Sequence, residues 1–219
     1  MAITIKAHRI AYMALPKAAC STVKQTLAKI DPAYGRKFEK AGAPVLNPEH
    51  VLYPTRRFRP HRWEALEGWW RFCVVRDPAK RLISCYTNRV VQLKDLHNSR
   101  KLIRGAVDLP MDPDPDFFFQ NLVAYRRAAS VIKHHALPAD MFLGDDLSVY
   151  DRVYPIEELD QLMKDLGARC GTDVTLVRKN KSGGGLGIED LKPETRDSLR
   201  PHMAREYALL GGYYENPLQ

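Results

Sequence analysis

The sequence predicts an α/β fold, a single three-layer domain over residues 1–219 with a mostly parallel central sheet between helices. Its strongest support is a pair of apolar runs of strand length, Arg9–Leu15 and Trp70–Val75. They are continuous rather than alternating, as in strands buried on both faces of a parallel sheet. Each run leads into a helix-like segment, the βα order that parallel strands require. The 219 residues are 45% hydrophobic, with no internal repeat or low-complexity tract, which suits one substantial core.

In chain order, Arg9–Leu15 passes through Pro16–Ala19 into a helix from about Ser21 to Ile30, with Ser21 and Thr22 able to cap it. Asp31-Pro32 stops that helix, because the residue before proline disfavours helical backbone. Residues 32–62, rich in proline, arginine and aromatics, read as loop with short pieces of structure. After the strand Trp70–Val75, Asp77-Pro78 opens a helix with Asp as N-cap and Pro at the first helical position. Leu82, Tyr86, Val90 and Leu93 recur at helical spacing and carry it to about Lys94. An irregular linker over 98–115 precedes a helix over Asp116–Ala129. Tyr150–Tyr154 reads as a strand, Ile156–Leu166 as a helix, Val174–Val177 as a last strand, Lys181–Gly187 as a loop and Pro193–Leu210 as the terminal helix.

Lys plus Arg exceed Asp plus Glu by 34 to 26, a net charge of +8. That excess fits an anionic ligand, and equally nucleic acid or an anionic membrane surface. Ala2–Leu15 is interrupted by Lys6, His8 and Arg9, so no signal peptide is expected, and no apolar run reaches the roughly 18–20 residues of a membrane span. Cys20, Cys73, Cys85 and Cys170 form no CxxC pair and read as thiols in a reducing, cytoplasmic setting.

Two stretches carry chemistry. Pro16, Lys17, Ala18, Ala19, Cys20, Ser21 and Thr22 form a turn of small residues between strand and helix, where backbone N–H groups can face an anion at a helix N-terminus. Lys17 adds a point charge at its mouth, and Ser21 and Thr22 add hydroxyls. The second stretch, Val75-Arg76-Asp77-Pro78-Ala79-Lys80-Arg81-Leu82-Ile83-Ser84, puts Arg76 at the C-terminal end of a strand, the edge where open α/β sheets gather ligands. Asp77, Arg81, Ser84 and Asn88 are spaced to share one helix face. An arginine fork with a serine hydroxyl makes a phosphate clamp.

Together, Pro16-Lys17-x-Ala19-Cys20-Ser21-Thr22-x-Lys24 and Val75-Arg76-Asp77-Pro78-x-x-Arg81-Leu82-x-Ser84-x-Tyr86 resemble the 5'-phosphosulfate loop and the 3'-phosphate motif of sulfotransferases that use 3'-phosphoadenosine 5'-phosphosulfate (PAPS). The closer resemblance is to sulfotransferase family 2, the carbohydrate sulfotransferase branch. It implies a P-loop-NTPase-like fold and a metal-independent transfer of a sulfuryl group to a hydroxyl or amine. It gives Lys17 the departing phosphate oxygen, the 16–22 turn the 5'-phosphate, and Arg76 and Ser84 the 3'-phosphate. Asn180 and Ser182 echo residues near the nucleotide's 3' end. Where the family often has glycine, this chain has Ala19, a mild change unless the turn demands a positive φ.

The resemblance also implies a base between the two motifs, a segment holding His50, His61, Glu49, Glu64 and Glu67. His61, within Arg56-Arg57-Phe58-Arg59-Pro60-His61, is the first choice and His50 the second. His135 and Pro138 resemble a family His-x-x-Pro element, and the adjacent His134 diverges from its neighbour, so no metal site is expected there.

The expected enzyme is of a soluble, bacterial type acting on a cytosolic glycan, lipid precursor or small metabolite, a small-molecule or glycan acceptor, with no nucleic-acid partner and no membrane span, and neither the acceptor's identity nor the oligomeric state is written in the sequence. The alternatives are a non-catalytic nucleotide-binding module, a P-loop-like kinase and a basic nucleic-acid-binding protein. The kinase lacks support in the GxxxxGK[ST] pattern, which this turn does not contain.

Overall fold

The computed structural model describes residues 2–41, 47–175 and 185–219. The chain opens with β1 (Ile3–Ile5), a 3-10 turn at Lys6–His8 and a left-handed Arg9 (φ 49°) that returns it antiparallel as β2 (Ile10–Met13). Helices α1 (Cys20–Ile30), α2 (Tyr34–Ala41), α3 (Pro48–Leu52) and α4 (Pro60–Glu64) precede β3 (Trp70–Val75). Then follow α5 (Pro78–Cys85), α6 (Arg100–Ile103), α7 (Pro115–Gln120), α8 (Leu122–Ala128), α9 (Ser130–His135) and α10 (Asp140–Leu143). The chain continues with β4 (Arg152–Pro155), α11 (Leu159–Cys170) and α12 (Pro193–Leu210).

The result is a mixed α/β protein with a four-stranded sheet in the order β1-β2-β3-β4, parallel from β2 to β4 and antiparallel only at β1. The register sets Tyr12 beside Phe72 and Phe72 beside Arg152. Among the described residues, no helix is long and apolar enough to cross a membrane.

The chain forms two compact units, Met1–Val75 with Ala139–Lys179, and Arg76–Pro138 with Asn180–Gln219. The first holds the sheet and a core of Ile5, Ile10, Val23, Leu27, Phe72 and Leu166 with their neighbours. Tyr12 stacks on Phe72 at 5.0 Å and Phe72 on Trp70 at 4.8 Å, pairs that contribute about 0.5–1.5 kcal/mol each beyond the area they bury. The second unit is helical, built on Leu82, Phe118, Phe119, Tyr125, Ile132 and Met203.

Several elements depart from the sequence expectation, each for a local reason. The helix after Asp77 is α-helical only to Cys85 and continues over Tyr86–Gln92 as a π-helix, so the i→i+5 ladder shifts Asn88 out of the 3.6-residue register. The helix expected over 116–129 is two helices, because Asn121 (φ −105°, ψ 20°) leaves helical geometry between them. The short pieces of structure expected within 32–62 are α2, α3 and the start of α4. Val174 and Thr175 carry no strand, and the rest of that candidate lies outside the described residues.

Candidate functional site

In the first unit, β2 delivers the chain into the turn after Met13. Ala18 N–H donates to the Leu15 carbonyl at 3.3 Å, and Lys17 (φ 66°) and Ala19 (φ 53°) both take left-handed backbone. For a residue with a Cβ that conformation costs about 1–2 kcal/mol, and two such residues flanking Ala18 make the kind of strained turn found at ligand clamps. The turn therefore demands a positive φ at Ala19, the condition under which a side chain there is not mild.

Helix α1 starts one residue earlier than expected, at Cys20, with Ala19 at the cap position and no side-chain cap. Ser21 and Thr22 thus occupy the first turn instead of capping it. The first intrahelical bond runs from Val23 N–H to the Ala19 carbonyl, 3.1 Å. The N–H groups of Cys20, Ser21 and Thr22 belong to the set that a helix start leaves without partners in the helix, at the positive end of its dipole. No acidic side chain stands in that turn. Such an arrangement can receive an anion.

Helix α3 brings a histidine to it. Ser21 Oγ lies 2.9 Å from His50 Nε2, and Lys24 Nζ lies 3.5 Å from His50 Nδ1. Lys24 also donates to Thr55 Oγ1 at 2.8 Å and is only 1% exposed. A lysine in its charged form can only donate, so while Lys24 carries its charge Nδ1 accepts from it and Nε2 faces Ser21. Burial pushes the Lys24 ammonium below the usual lysine range, while the charges of Cys20 and Glu49 pull it back up. Glu49 accepts from Gln25 Nε2 at 2.7 Å, so neighbouring residues of α3 grip α1 at two points.

His61 has a different setting. Trp63, 4% exposed, anchors α4 by packing its ring, tilted by 50°, against Tyr150 at 4.8 Å and donating from Nε1 to the Val149 carbonyl at 3.3 Å. That leaves His61 on the exposed side of α4, together with Arg59, Arg62 and Glu64. Glu67 is exposed as well.

In the second unit, Asp77 caps α5 as the sequence predicts, accepting from Lys80 N–H at 2.8 Å, and also receives the Tyr207 hydroxyl at 2.9 Å. Arg81 is not on a ligand-facing surface. It is 1% exposed, pairs with Glu206 of α12, and donates to the Leu137 and His135 carbonyls at 2.9 and 3.3 Å. Arg76 is half-buried and Ser84 is 6% exposed. Asn180 and Ser182 lie outside the described residues.

Lys24 was visible in the motif without a role, and the structure buries it against His50 and Thr55. Glu206 and Tyr207 had no signal, since their partners stand 125 and 130 positions away. Among the described residues, no group of three or more His, Cys, Asp and Glu side chains could hold a metal ion.

Comparison with known families gives one result: the family model described as the sulfotransferase family matches residues 1–184. No curated protein and no solved structure matches the chain.

Proposed function

The chain belongs to the sulfotransferase family, within family 2, and from that premise we propose that it transfers a sulfuryl group from PAPS to a hydroxyl or amine of a small-molecule or glycan acceptor. The observation that carries this reading is the turn from Lys17 to Thr22. Left-handed residues at 17 and 19 lead into a helix start with no carboxylate in its first turn. That donor set fits a phosphosulfate, which needs N–H groups and a cation and is repelled by acids.

PAPS, when bound, supplies a sulfuryl group already activated on a phosphate. The residues around it have separate tasks. Backbone N–H groups of Cys20, Ser21 and Thr22, with the two hydroxyls, bind the 5'-phosphate, and Lys17 stabilises the charge that grows on the departing phosphate oxygen. Arg76 and Ser84 hold the 3'-phosphate on α5, whose N-terminal turn is kept in place by the Asp77–Tyr207 and Arg81–Glu206 contacts. As in phosphoryl transfer, these are positioning and electrostatic tasks.

Of the candidate bases, we favour His50 over His61. The support is its 2.9 Å contact with Ser21, which keeps its ring at the anion cradle. Its imidazole would take the acceptor's proton as the new oxygen–sulfur bond forms and the sulfur–oxygen bond to phosphate breaks. On this reading both units serve one sulfotransferase domain of the P-loop-like type, working in the cytoplasm, where the free thiols of Cys20, Cys73, Cys85 and Cys170 persist.

The test is binding and turnover. Adenosine 3',5'-bisphosphate should raise the melting temperature of the wild type, with ATP much weaker, and Arg76→Ala should lose the response. Lys17→Ala should stay folded and transfer no sulfate from PAPS across a panel of acceptors. A response to ATP without one to the bisphosphate would overturn the proposal in favour of a kinase-like protein.

A further inference from the structure

The second unit holds an open groove of about 980 Å³ that the nucleotide reading does not use. Its walls come from α6, α8 and α9, and its charged lining residues are Arg100, Lys101, Arg126, Arg127 and Lys133. No carboxylate lines it. Elsewhere in the same unit cations are matched, Arg89 by Asp95 at 3.2 Å and Lys94 by Asp112 at 3.6 Å. Among the described residues, none of the five groove cations forms an ion pair. Arg126 is half-buried at the groove wall, and burial, with the charge of Arg205 outside the groove, lowers its pKa from the usual arginine value against the opposing pull of Glu206. Unneutralised like charges in one concavity repel each other and raise its affinity for a counter-ion of matching valence.

We infer that this groove is a second anion site, one that takes a chain of tetrahedral oxyanions, phosphate or sulfate groups repeated along a linear molecule. The walls are tied together before any ligand arrives, by Lys101 Nζ donating to the Arg127 carbonyl at 2.9 Å and Ser99 Oγ to the Ala128 carbonyl at 2.8 Å. The volume lies at the upper end of small-ligand sites, room for several charged groups and not just one. Arginines supply the planar forks that match phosphate and sulfate oxygens in pairs. No aromatic ring lines the groove, so it lacks the stacking platforms that single-stranded nucleic acid uses. The inference stands independently of the sulfuryl-transfer reading, because it uses none of the residues assigned to PAPS.

The experiment is calorimetric titration of the full chain with inorganic tripolyphosphate, with sucrose octasulfate and with sodium sulfate, repeated on the double variant Arg127→Glu/Lys133→Glu. Both side chains are exposed, and the reversal relieves repulsion, so the urea midpoint of the variant should hold or rise. The expected result is that the two oligoanions bind the wild type far more tightly than sulfate and lose about tenfold or more in the variant. Their relative affinity then tells a polyphosphate from a sulfated-sugar source. Equal affinities of wild type and variant would overturn the inference. So would tighter binding of a single-stranded oligonucleotide of equal charge, which would make the groove a nucleic-acid surface.

Discussion

Acid should destabilise this protein through His202, and a single substitution should remove much of that sensitivity. His202 sits on α12 with its side chain 13% exposed and its Nε2 3.6 Å from Glu206 Oε1. That carboxylate is already engaged by Arg81, so it offers little to a second cation. Burial, with Arg81, Arg126 and Arg205 close by, pushes the imidazole from the usual 6.5 down to about 4. In the unfolded chain the same ring takes up a proton near its usual value. Between those values the unfolded state binds more protons than the folded one, so stability is full above pH 6.5 and falls as the pH drops toward 4. Integrated from pH 7.5 to 5, the loss is about 2 kcal/mol. For a chain of this size that corresponds to a fall of about 4–8 °C in melting temperature. The assay is urea unfolding of the wild type and His202→Leu at both pH values. The leucine variant, neutral throughout, should lose about 2 kcal/mol less on acidification. Equal losses in the two proteins would refute the argument, since all other titrating groups are shared.

Other consequences can be measured with the same preparations. Ala19→Gly should raise stability by about 0.5–1 kcal/mol, the relief of left-handed strain outweighing the added freedom of the unfolded chain, and a lower urea midpoint would show that the turn holds Ala19 without strain. Glu206→Gln should cost about 3–5 kcal/mol, because it leaves the buried Arg81 guanidinium without its counter-charge, and an unchanged midpoint would contradict that pairing. His50→Ala should lower kcat for sulfate transfer by about 10²–10⁴-fold with little change in KM for PAPS, while His61→Ala stays near wild type. The reverse pattern would restore His61 as the base.

Much of the scaffold could be read from residues alone, and the reasons are physical. Trp70–Val75 declares itself because a strand buried on both faces needs an unbroken apolar run, and its bounds agree with β3. Asp77-Pro78 and Pro193 mark their helix starts, since proline costs nothing at a position whose N–H has no partner. Strand β1 carries no sequence signal because its three residues, Ile3 to Ile5, are too few to show a period. The π-helix is equally silent, as Leu82, Tyr86 and Val90 satisfy a helical spacing whichever ladder forms. The turn between β2 and α1 was legible from its small residues, but its strain was not, because φ at Ala19 depends on how the two elements must join. The partners of the second motif were the least accessible part. Arg81 looked like a member of a ligand-binding face beside the cap Asp77, and only the return of α12, with Glu206 on Arg81 and Tyr207 on Asp77, shows how both are tied into the packing.

The path of the chain through its two units has a consequence for its synthesis. The first unit is interrupted after Val75 and resumes at Ala139, so a nascent chain holds β1, β2 and β3 for some time before β4 and α11 exist to complete the core. The second unit waits longer still, since Glu206 and Tyr207 emerge near the last. Neither core can close in order of translation, and a fragment cut at the end of the family match, residue 184, would lack the helix that neutralises Arg81. Ribosome-bound chains of increasing length should therefore gain protease resistance late and in two closely spaced steps.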